Sequence, residues 1–569
     1  MPSVSAPYKA SEPAFRLPRS LDRVALLQAL CAIIWLPQAG LLAWAIASVQ
    51  QGSGFQSVIV PAALVVALGA LRAFLESWAS ARLHEGARRC LTQWRAHAVS
   101  VLAAQSPLDR RRVAAGAAAS ILSEQAEAIM PWLTRYRMAS WRARVIPLLI
   151  LLPVLWFSWS AALVLVVAAP LIPIFMAIVG WRAKAASEAQ WLQMGDMNTF
   201  LLDRLRGLPT LRAMGAVPLT AKRLRASAED LRERTMRVLR IAFLSSAVLE
   251  LFSALGVALV AVFIGFHLLG HIEFGAWGDK LTLAEGVFVL LLAPSFFEPL
   301  RELAAVWHDK ASGQAAVDAL KRLSCAGLQI PGGAAAHGTV ASSEPLPSSP
   351  PGVQVRSLSF SFPDEPPIFA DLDLVIEPGE KVALAGASGS GKTVLLSLLA
   401  GLLPAQSGQI SIAGTELDAE HAALLQSRIG WMGQRPHVFA GSVATNIALA
   451  QVTPDAVKVA EALEEAGLGG VAQAHPGTSI GEGGHGLSGG EAARLALARL
   501  LATTGKDLWL VDEPTAHLDR ATSDQIIDTL LGHACGRTLI IATHDPALIQ
   551  RLDRVIQLPS LSLVYKGRP

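Results

Sequence analysis

Residues 386–393 read Gly-Ala-Ser-Gly-Ser-Gly-Lys-Thr, the Gly-x-x-x-x-Gly-Lys-[Ser/Thr] spacing of a phosphate-binding loop. Backbone N–H groups of Gly386, Ala387, Ser388, Gly389, Ser390 and Gly391 suit nucleotide phosphates, and Lys392 can reach the β- and γ-phosphates. The hydroxyl of Thr393 suits Mg2+. Further on, the apolar run Leu508-Trp-Leu-Val ends in two carboxylates. Asp512 is placed to hold Mg2+, directly or through water, and Glu513 to polarise an attacking water as general base. Such a pair is usually a solvated strand end. Here a buried run precedes it and Pro514-Thr515 follows, which marks it as chemical.

These groups need a strand–loop–helix frame. Lys381-Val-Ala-Leu-Ala reads as a buried strand entering the loop, and Thr393-Val-Leu-Leu-Ser-Leu-Leu-Ala as the helix leaving it, its N-terminus adding partial positive charge at the phosphates. Beyond residue 351 short β-branched runs alternate with helical patterns, as in an α/β domain. The Gly-, Pro- and Ser-rich stretch 326–350 reads as a linker.

The N-terminal half has a different composition. A membrane-spanning helix needs about 20 predominantly apolar residues. Six candidates qualify: 24–49, 57–80, 143–157, 158–180, 241–270 and 281–305. The third and fourth form one long apolar stretch, broken by Pro153 and by Ser158-Trp159-Ser160, which predicts two helices joined by a very tight turn. The segments 82–131 and 182–240 are rich in arginine and lysine, whereas 50–56 and 158–160 carry neither and 270–280 only Lys280. The positive-inside rule therefore puts both basic segments and both termini in the cytoplasm. The length of those segments predicts spans that continue into the cytoplasm and return. The polar N-terminal segment 1–23 reads as uncleaved and cytoplasmic.

Bulk composition agrees with a part-membrane, part-soluble chain. Of 569 residues, 52% are hydrophobic and 16% charged, against roughly 45–50% and 25% in soluble domains. A net charge of +3 without a basic, aromatic-interleaved stripe gives no reason to expect a nucleic-acid partner. Cys31, Cys90, Cys325 and Cys535 are scattered, excluding a disulfide or zinc framework, and read as small buried apolar residues.

Leu487-Ser488-Gly489-Gly490-Glu491 then narrows the class. With the phosphate loop and the Asp512–Glu513 strand, it makes residues 351–569 resemble the nucleotide-binding domain of ABC transporters, an α/β phosphate-loop ATPase with a helical subdomain. The resemblance implies that Phe362 stacks on adenine, that Gln434 ligates Mg2+ and senses the membrane domain, and that His544 contacts the γ-phosphate. It also implies a coupling role for Glu482 and a D-loop at Ala516-His517-Leu518-Asp519. Glu491 stands where Gln is usual, an exchange expected to tune the site and leave it competent. In this family Ser488, Gly489 and Gly490 bind the γ-phosphate of a nucleotide held by the other subunit. One copy of each motif therefore makes this chain half of a dimer.

Six spans before one ATPase domain resemble an ABC exporter half-transporter, with a helical membrane domain over 24–325 and a segment at 200–212 that looks like its coupling region. Residues 168–180 and 293–302 are similar to the D-type subunit of CydDC exporters of the bacterial inner membrane. That resemblance implies a C-type partner in a heterodimer surrounded by membrane lipid. The implied cargo is haem or small thiols (cysteine, glutathione), released to the periplasm for cytochrome bd assembly, with haem as substrate or regulator. A lipid or drug exporter and a regulatory membrane ATPase without cargo are the alternatives.

Ionisable residues near the spans bear on cargo, since each costs roughly 2.5–3.5 kcal/mol at a helix centre on insertion scales. Arg72, Glu76, Arg82 and His84 lie on or just below the second span, and Glu298, Arg301, Glu302, Trp307 and His308 along or after the sixth. Arg82 and Arg301 could clamp propionates or a glutathione carboxylate, and His84 or His308 could ligate iron. Trp307 could stack on a flat ligand. The plainer readings are arginines that snorkel and a tryptophan that anchors at the interface.

Overall fold

The computed structural model describes residues 15–175, 200–325, 327–333, 349–449, 454–471, 474–480 and 487–559, apart from positions 53, 55, 173, 202, 206, 279 and 517. The first 14 residues of the N-terminal segment 1–23, the end of the fourth expected span, most of the linker, Glu482 and His517 lie outside these residues, while Arg19–Arg23 already belong to the first helix. The chain forms two compact units, one from Ser11–His97 and Ala115–Arg322, the other from Ala98–Ala114 and Leu323–Pro569.

The first unit is helical. Its helices are α1 (Arg19–Cys31), α2 (Trp35–Gln50), α3 (Gln56–Ala104), α4 (Ala115–Ser123), α5 (Arg137–Phe157), α6 (Trp159–Ala168), α7 (Leu208–Ala213), α8 (Val217–Leu268), α9 (Leu283–Ala305) and α10 (Trp307–Leu323). Among the described residues five helical stretches are long and apolar enough to cross a membrane: Arg19–Gln50, Gln56–Ala104, Ala115–Phe157, Ala247–Leu268 and Leu283–Leu323. The shorter α6 opens the fourth expected span. Helices α3 and α8, of 49 and 52 residues, far exceed one span, as the basic segments imply.

The turn after α5 corrects one expectation. Pro153 does not interrupt the chain: it lies with Pro147 inside α5. Membrane helices tolerate proline where neighbouring helices satisfy the freed backbone groups. The break is at Ser158, whose extended backbone (φ −147°, ψ 112°) ends α5 and caps α6, its Oγ accepting the Ala161 N–H. That hydroxyl also donates to the Gly275 carbonyl at 2.8 Å, tying the turn to the loop after α8.

The unit's core joins Ile146, Ile150 and Val154 of α5, Ala161 and Leu165 of α6, Val260 and Ile264 of α8, and Val289, Leu292, Phe296 and Phe297 of α9. Gly256 permits the α8–α9 approach, because a Cβ there would fall 2.5 Å from Phe297 Cζ. Outward faces keep large apolar groups such as Val66, Leu148, Trp156 and Val262 exposed, as lipid requires. The cysteines follow the sequence reading only in part: Cys31 and Cys90 are buried, but Cys325 and Cys535 are exposed.

The second unit holds an antiparallel sheet of β1 (Val353–Phe360), β2 (Phe369–Ile376), β4 (Ser407–Ile412) and β5 (Thr415–Glu416), ordered β2-β1-β4-β5. Beside it lies a parallel sheet ordered β11-β3-β10-β9-β6, from β3 (Lys381–Ala385), β6 (Ile429–Met432), β9 (Leu508–Asp512), β10 (Thr538–Ala542) and β11 (Arg554–Gln557). A small ribbon pairs β7 (Gly441–Ser442) with β8 (Ser479–Ile480). Helices are α11 (Lys392–Leu399), α12 (Ala422–Ser427), α13 (Val443–Ile447), α14 (Ala456–Glu465), α15 (Gly489–Leu501), α16 (Arg520–His533) and α17 (Pro546–Ile549).

Strand β9 is buried on both faces, which is why it reads as a continuous apolar run. Leu508 and Leu510 pack with β1, β2, β4 and α11. Trp509 and Val511 pack with α15 and α16. The loop before α4 joins this unit: Gln105 Nε2 donates to Cys325 O, Ser106 N–H to Leu328 O, and the Leu328 N–H to Asp109 Oδ2, at 2.7–2.8 Å.

Candidate functional site

Parallel strands point their carboxyl ends the same way, and ligands of open α/β sheets bind along that edge. The expected phosphate loop follows β3, Gln434 follows β6, Asp512 and Glu513 close β9, and His544 follows β10. Four motifs scattered over the sequence thus meet on one edge.

The loop bends through Gly391, whose left-handed φ of +91° caps α11 and where a Cβ would fall 2.6 Å from Ile368 Cγ2. Lys392 Nζ lies along the loop, donating to the carbonyls of Gly386 (2.9 Å) and Ala387 (3.3 Å). Thr393 Oγ1 donates to Asp512 Oδ2 at 2.9 Å, which brings the two expected Mg2+ ligands together. Asp512 is 2% exposed, and burial pushes its carboxyl above the ordinary range while the Thr393 bond pulls it down. Its Oδ1 and the buried Ser390 Oγ have no hydrogen-bond partner among the described residues. A Mg2+ ion between Thr393 and Asp512 and a phosphate oxygen in the loop would satisfy both atoms, so the residues fit these groups. Gln434, the third expected ligand, is exposed.

Glu513 takes a left-handed backbone, φ +47°, unusual for a non-glycine residue, and its N–H is held by the Ala542 carbonyl. This turns the carboxylate toward β10, where Oε2 lies 2.6 Å from His544 Nδ1. The carboxylate is largely buried while the imidazole is 74% exposed. The candidate base and the candidate γ-phosphate sensor are therefore in direct contact.

Phe362 follows β1 and is only 7% exposed. Phe360 meets its ring edge-on at 5.2 Å, and the Arg110 guanidinium lies over it, 5.1 Å from the centroid. At the signature, Ser488 and Glu491 form a reciprocal cap on α15: the Glu491 N–H donates to Ser488 Oγ, and the Ser488 N–H to Glu491 Oε2. The backbone hydrogen bond from Ser488 holds the Glu491 carboxyl below its ordinary range. Gly489 and Gly490 open that helix. Asp519 caps α16, accepting the Thr522 N–H at 3.0 Å.

In the helical unit a cavity of about 250 Å³ is lined by Trp35 of α2, Arg72 of α3, Arg142 and Ile146 of α5, and Ser295, Glu298 and Glu302 of α9, among others. Arg142 Nη1 donates to Glu302 at 3.1 Å and Nη2 to Glu76 at 3.4 Å, while Arg72 Nε donates to Glu76 at 3.0 Å. Arg142 Nε and Trp35 Nε1 are buried with no hydrogen-bond partner among the described residues. The sequence reading missed Arg142. The signal was a four-residue step: Arg142 precedes Ile146, Ile150 and Val154, all buried, so it shares their face.

The five expected cargo residues are dispersed. Arg82 stacks over Trp78 and His84 is exposed on the same helix. Arg301 pairs with Glu250 at 3.2 Å, Trp307 meets Tyr136 edge-on, and the exposed His308 lies 3.3 Å from Asp309. None of the five lines the cavity, and among the described residues no hydrogen bond, ion pair or ring contact joins any two of them. No group of three or more His, Cys, Asp or Glu among the described residues could hold a metal ion.

Comparison with known proteins agrees with this geometry. Residues 24–280 match the family model described as ABC transporter transmembrane region, and residues 369–516 the one described as ABC transporter. Over 456 residues the chain is 36% identical to the transport ATP-binding protein AarD of Providencia stuartii, covering 80% of this chain and 76% of that one. It is 34% identical to the glutathione/L-cysteine transport system ATP-binding/permease protein CydD of Escherichia coli (strain K12), with the same coverage. The corresponding CydC protein of Bacillus subtilis (strain 168) is 32% identical, over 73% of this chain and 70% of its own.

Proposed function

The chain belongs to the ABC transporter family as a CydD-like half-transporter whose ATPase couples hydrolysis to transport, and from this we propose that it pairs with a homologous C-type subunit and exports small thiols. In this reading the heterodimer sits in the bacterial inner membrane and releases cysteine or glutathione to the periplasm, in support of cytochrome bd assembly. The membrane domain spans 24–325 and the ATPase domain 351–569, joined by the linker 326–350. Basic segments 82–131 and 182–240 favour cytoplasmic termini and a cytoplasmic ATPase. The carrying observation is the likeness over four-fifths of the chain to a relative named for glutathione and L-cysteine transport.

The loop 386–391 and Lys392 hold the phosphates, Lys392 exchanging the Gly386 and Ala387 carbonyls for phosphate oxygens. Phe362 takes the adenine. Thr393, Asp512 and Gln434 would hold Mg2+, which when bound neutralises charge on the β- and γ-phosphate oxygens. Glu513 accepts the proton of the attacking water, and His544 leaves Glu513 Oε2 to contact the γ-phosphate. Ser488, Gly489 and Gly490 present the N-terminus of α15 to the nucleotide of the partner subunit, with Glu491 as the cap. Nucleotide binding closes the two ATPase domains, and hydrolysis at Glu513 resets them.

For cargo, the α2–α3–α5–α9 cavity offers Arg72 and Arg142 to a carboxylate and Glu298 to an ammonium, the two ends of an amino acid or short peptide. The test is the ATPase rate of this chain co-purified with its C-type partner in lipid vesicles, titrated with cysteine, glutathione and haem. We expect a saturable thiol response that Glu513→Gln abolishes and Glu298→Gln weakens. A response to haem alone would replace the cargo, and a response to lipid alone would make the complex a flippase.

A further inference from the structure

A ring that stacks on adenine must offer a face, yet Phe362 is 7% exposed. Its contacts explain why. Phe360 packs T-shaped against the ring, and the Arg110 guanidinium lies over it, 5.1 Å from its centroid. Arg110 belongs to the loop between α3 and α4 and is distant in sequence from the ATPase motifs. That loop is nevertheless part of the same compact unit.

We infer that Arg110 occupies the adenine position of the nucleotide site and is displaced when ATP binds. The inference rests on the assignment of Phe362 to adenine made above. A base slipped between guanidinium and ring would need two van der Waals separations, roughly 7 Å in all. The observed spacing is 5.1 Å, so base and guanidinium cannot share the face as it stands. Arg110 is the element free to yield: its side chain is 69% exposed and, among the described residues, its tip is held by an ion pair to Glu365.

The rest of the loop stays docked without it. Ser106 and Asp109 bond to Leu402 and Leu328, Gln105 to Cys325, and Arg111 forms its own ion pair with Asp364. Arg110 therefore acts on the nucleotide and contributes little to holding the loop. By linkage, whatever draws Arg110 onto Phe362 weakens adenine binding, and adenine binding releases Arg110 by the same factor.

The experiment uses the co-purified complex with Glu513→Gln in this chain, so that binding is read without turnover. ATP is compared with inorganic tripolyphosphate, which carries the phosphates and no base. Arg110→Ala should tighten ATP binding about two- to fivefold, the worth of an exposed cation–π contact, and leave tripolyphosphate unchanged. Arg110→Lys should fall between, and Arg111→Ala should match the parent for both ligands. Unchanged or weaker ATP binding in Arg110→Ala overturns the proposal, as does equal tightening for tripolyphosphate. Phe362→Ala tests the underlying assignment separately: it should weaken ATP about tenfold or more and spare tripolyphosphate, and an unaltered ATP affinity there would overturn both readings.

Discussion

Asp512 and Glu491 are carboxylates of the same ATPase, and their surroundings push them in opposite directions. Asp512 is buried, and its pKa is raised. Such a group takes up a proton on folding, so stability falls as pH rises from about 3.9, the unfolded value, through the raised one, and the buried charge is a cost at neutral pH. Asp512→Asn should therefore melt at or above the parent in Mg2+-free buffer, yet lose the rise in Tm that Mg·ATP gives the parent; scanning fluorimetry reads both. Glu491 is depressed by its hydrogen bond to Ser488. Its contribution is complete above about pH 4.3 and is lost as pH falls through the lowered value. Gln fills the same capping role, so Glu491→Gln should keep ATPase activity and lose only that acid-side dependence. Glu491→Ala should cost about 1 kcal/mol in denaturant unfolding at pH 7. The departure from the family pattern at Glu491 is thus a change of cap chemistry.

At the level of elements, the sequence was legible where one residue type serves one purpose. The strand β9 announced itself because both its faces are buried, and the phosphate loop because its glycines have few substitutes. The turn at Ser158 was legible too, but not its cause: Pro153 looked like the stronger breaker, whereas a proline inside a packed membrane helix is tolerated. Contacts between distant segments were illegible. Nothing in the residues around Arg110 marks them as neighbours of Phe362, and Arg142 looked like a flanking charge because its carboxylate partners come from α3 and α9. Helix packing supplies a further prediction. Gly256 faces Phe297 so closely that Gly256→Val must displace the ring. Overpacking of this kind costs about 1–3 kcal/mol, so the purified variant should melt several degrees lower in detergent, with nucleotide affinity unchanged.

In the proposed heterodimer this chain is half a machine, and its two halves of chemistry can be broken separately. On that reading Lys392 serves this chain's own nucleotide and Ser488 the partner's. In the co-purified complex, Lys392→Ala should abolish photolabelling of this subunit by an azido-ATP probe. Ser488→Arg should leave that labelling intact and stop turnover at the partner's loop; unimpaired turnover in both variants would remove the shared-site reading. Helix α8 adds a constraint of another kind. Between Leu219 and Leu255 it holds no glycine or proline, so it runs as one rod from a charged stretch into an apolar one. Each residue in such a rod advances the far end about 1.5 Å and turns it about 100°. Its length is therefore a matter of phase: removing five residues from its charged stretch would swing every apolar side chain beyond the cut away from α9. Removing seven, close to two whole turns, would leave the faces within about 20° of register. The sequence of that stretch can drift, but its length can change only in whole turns.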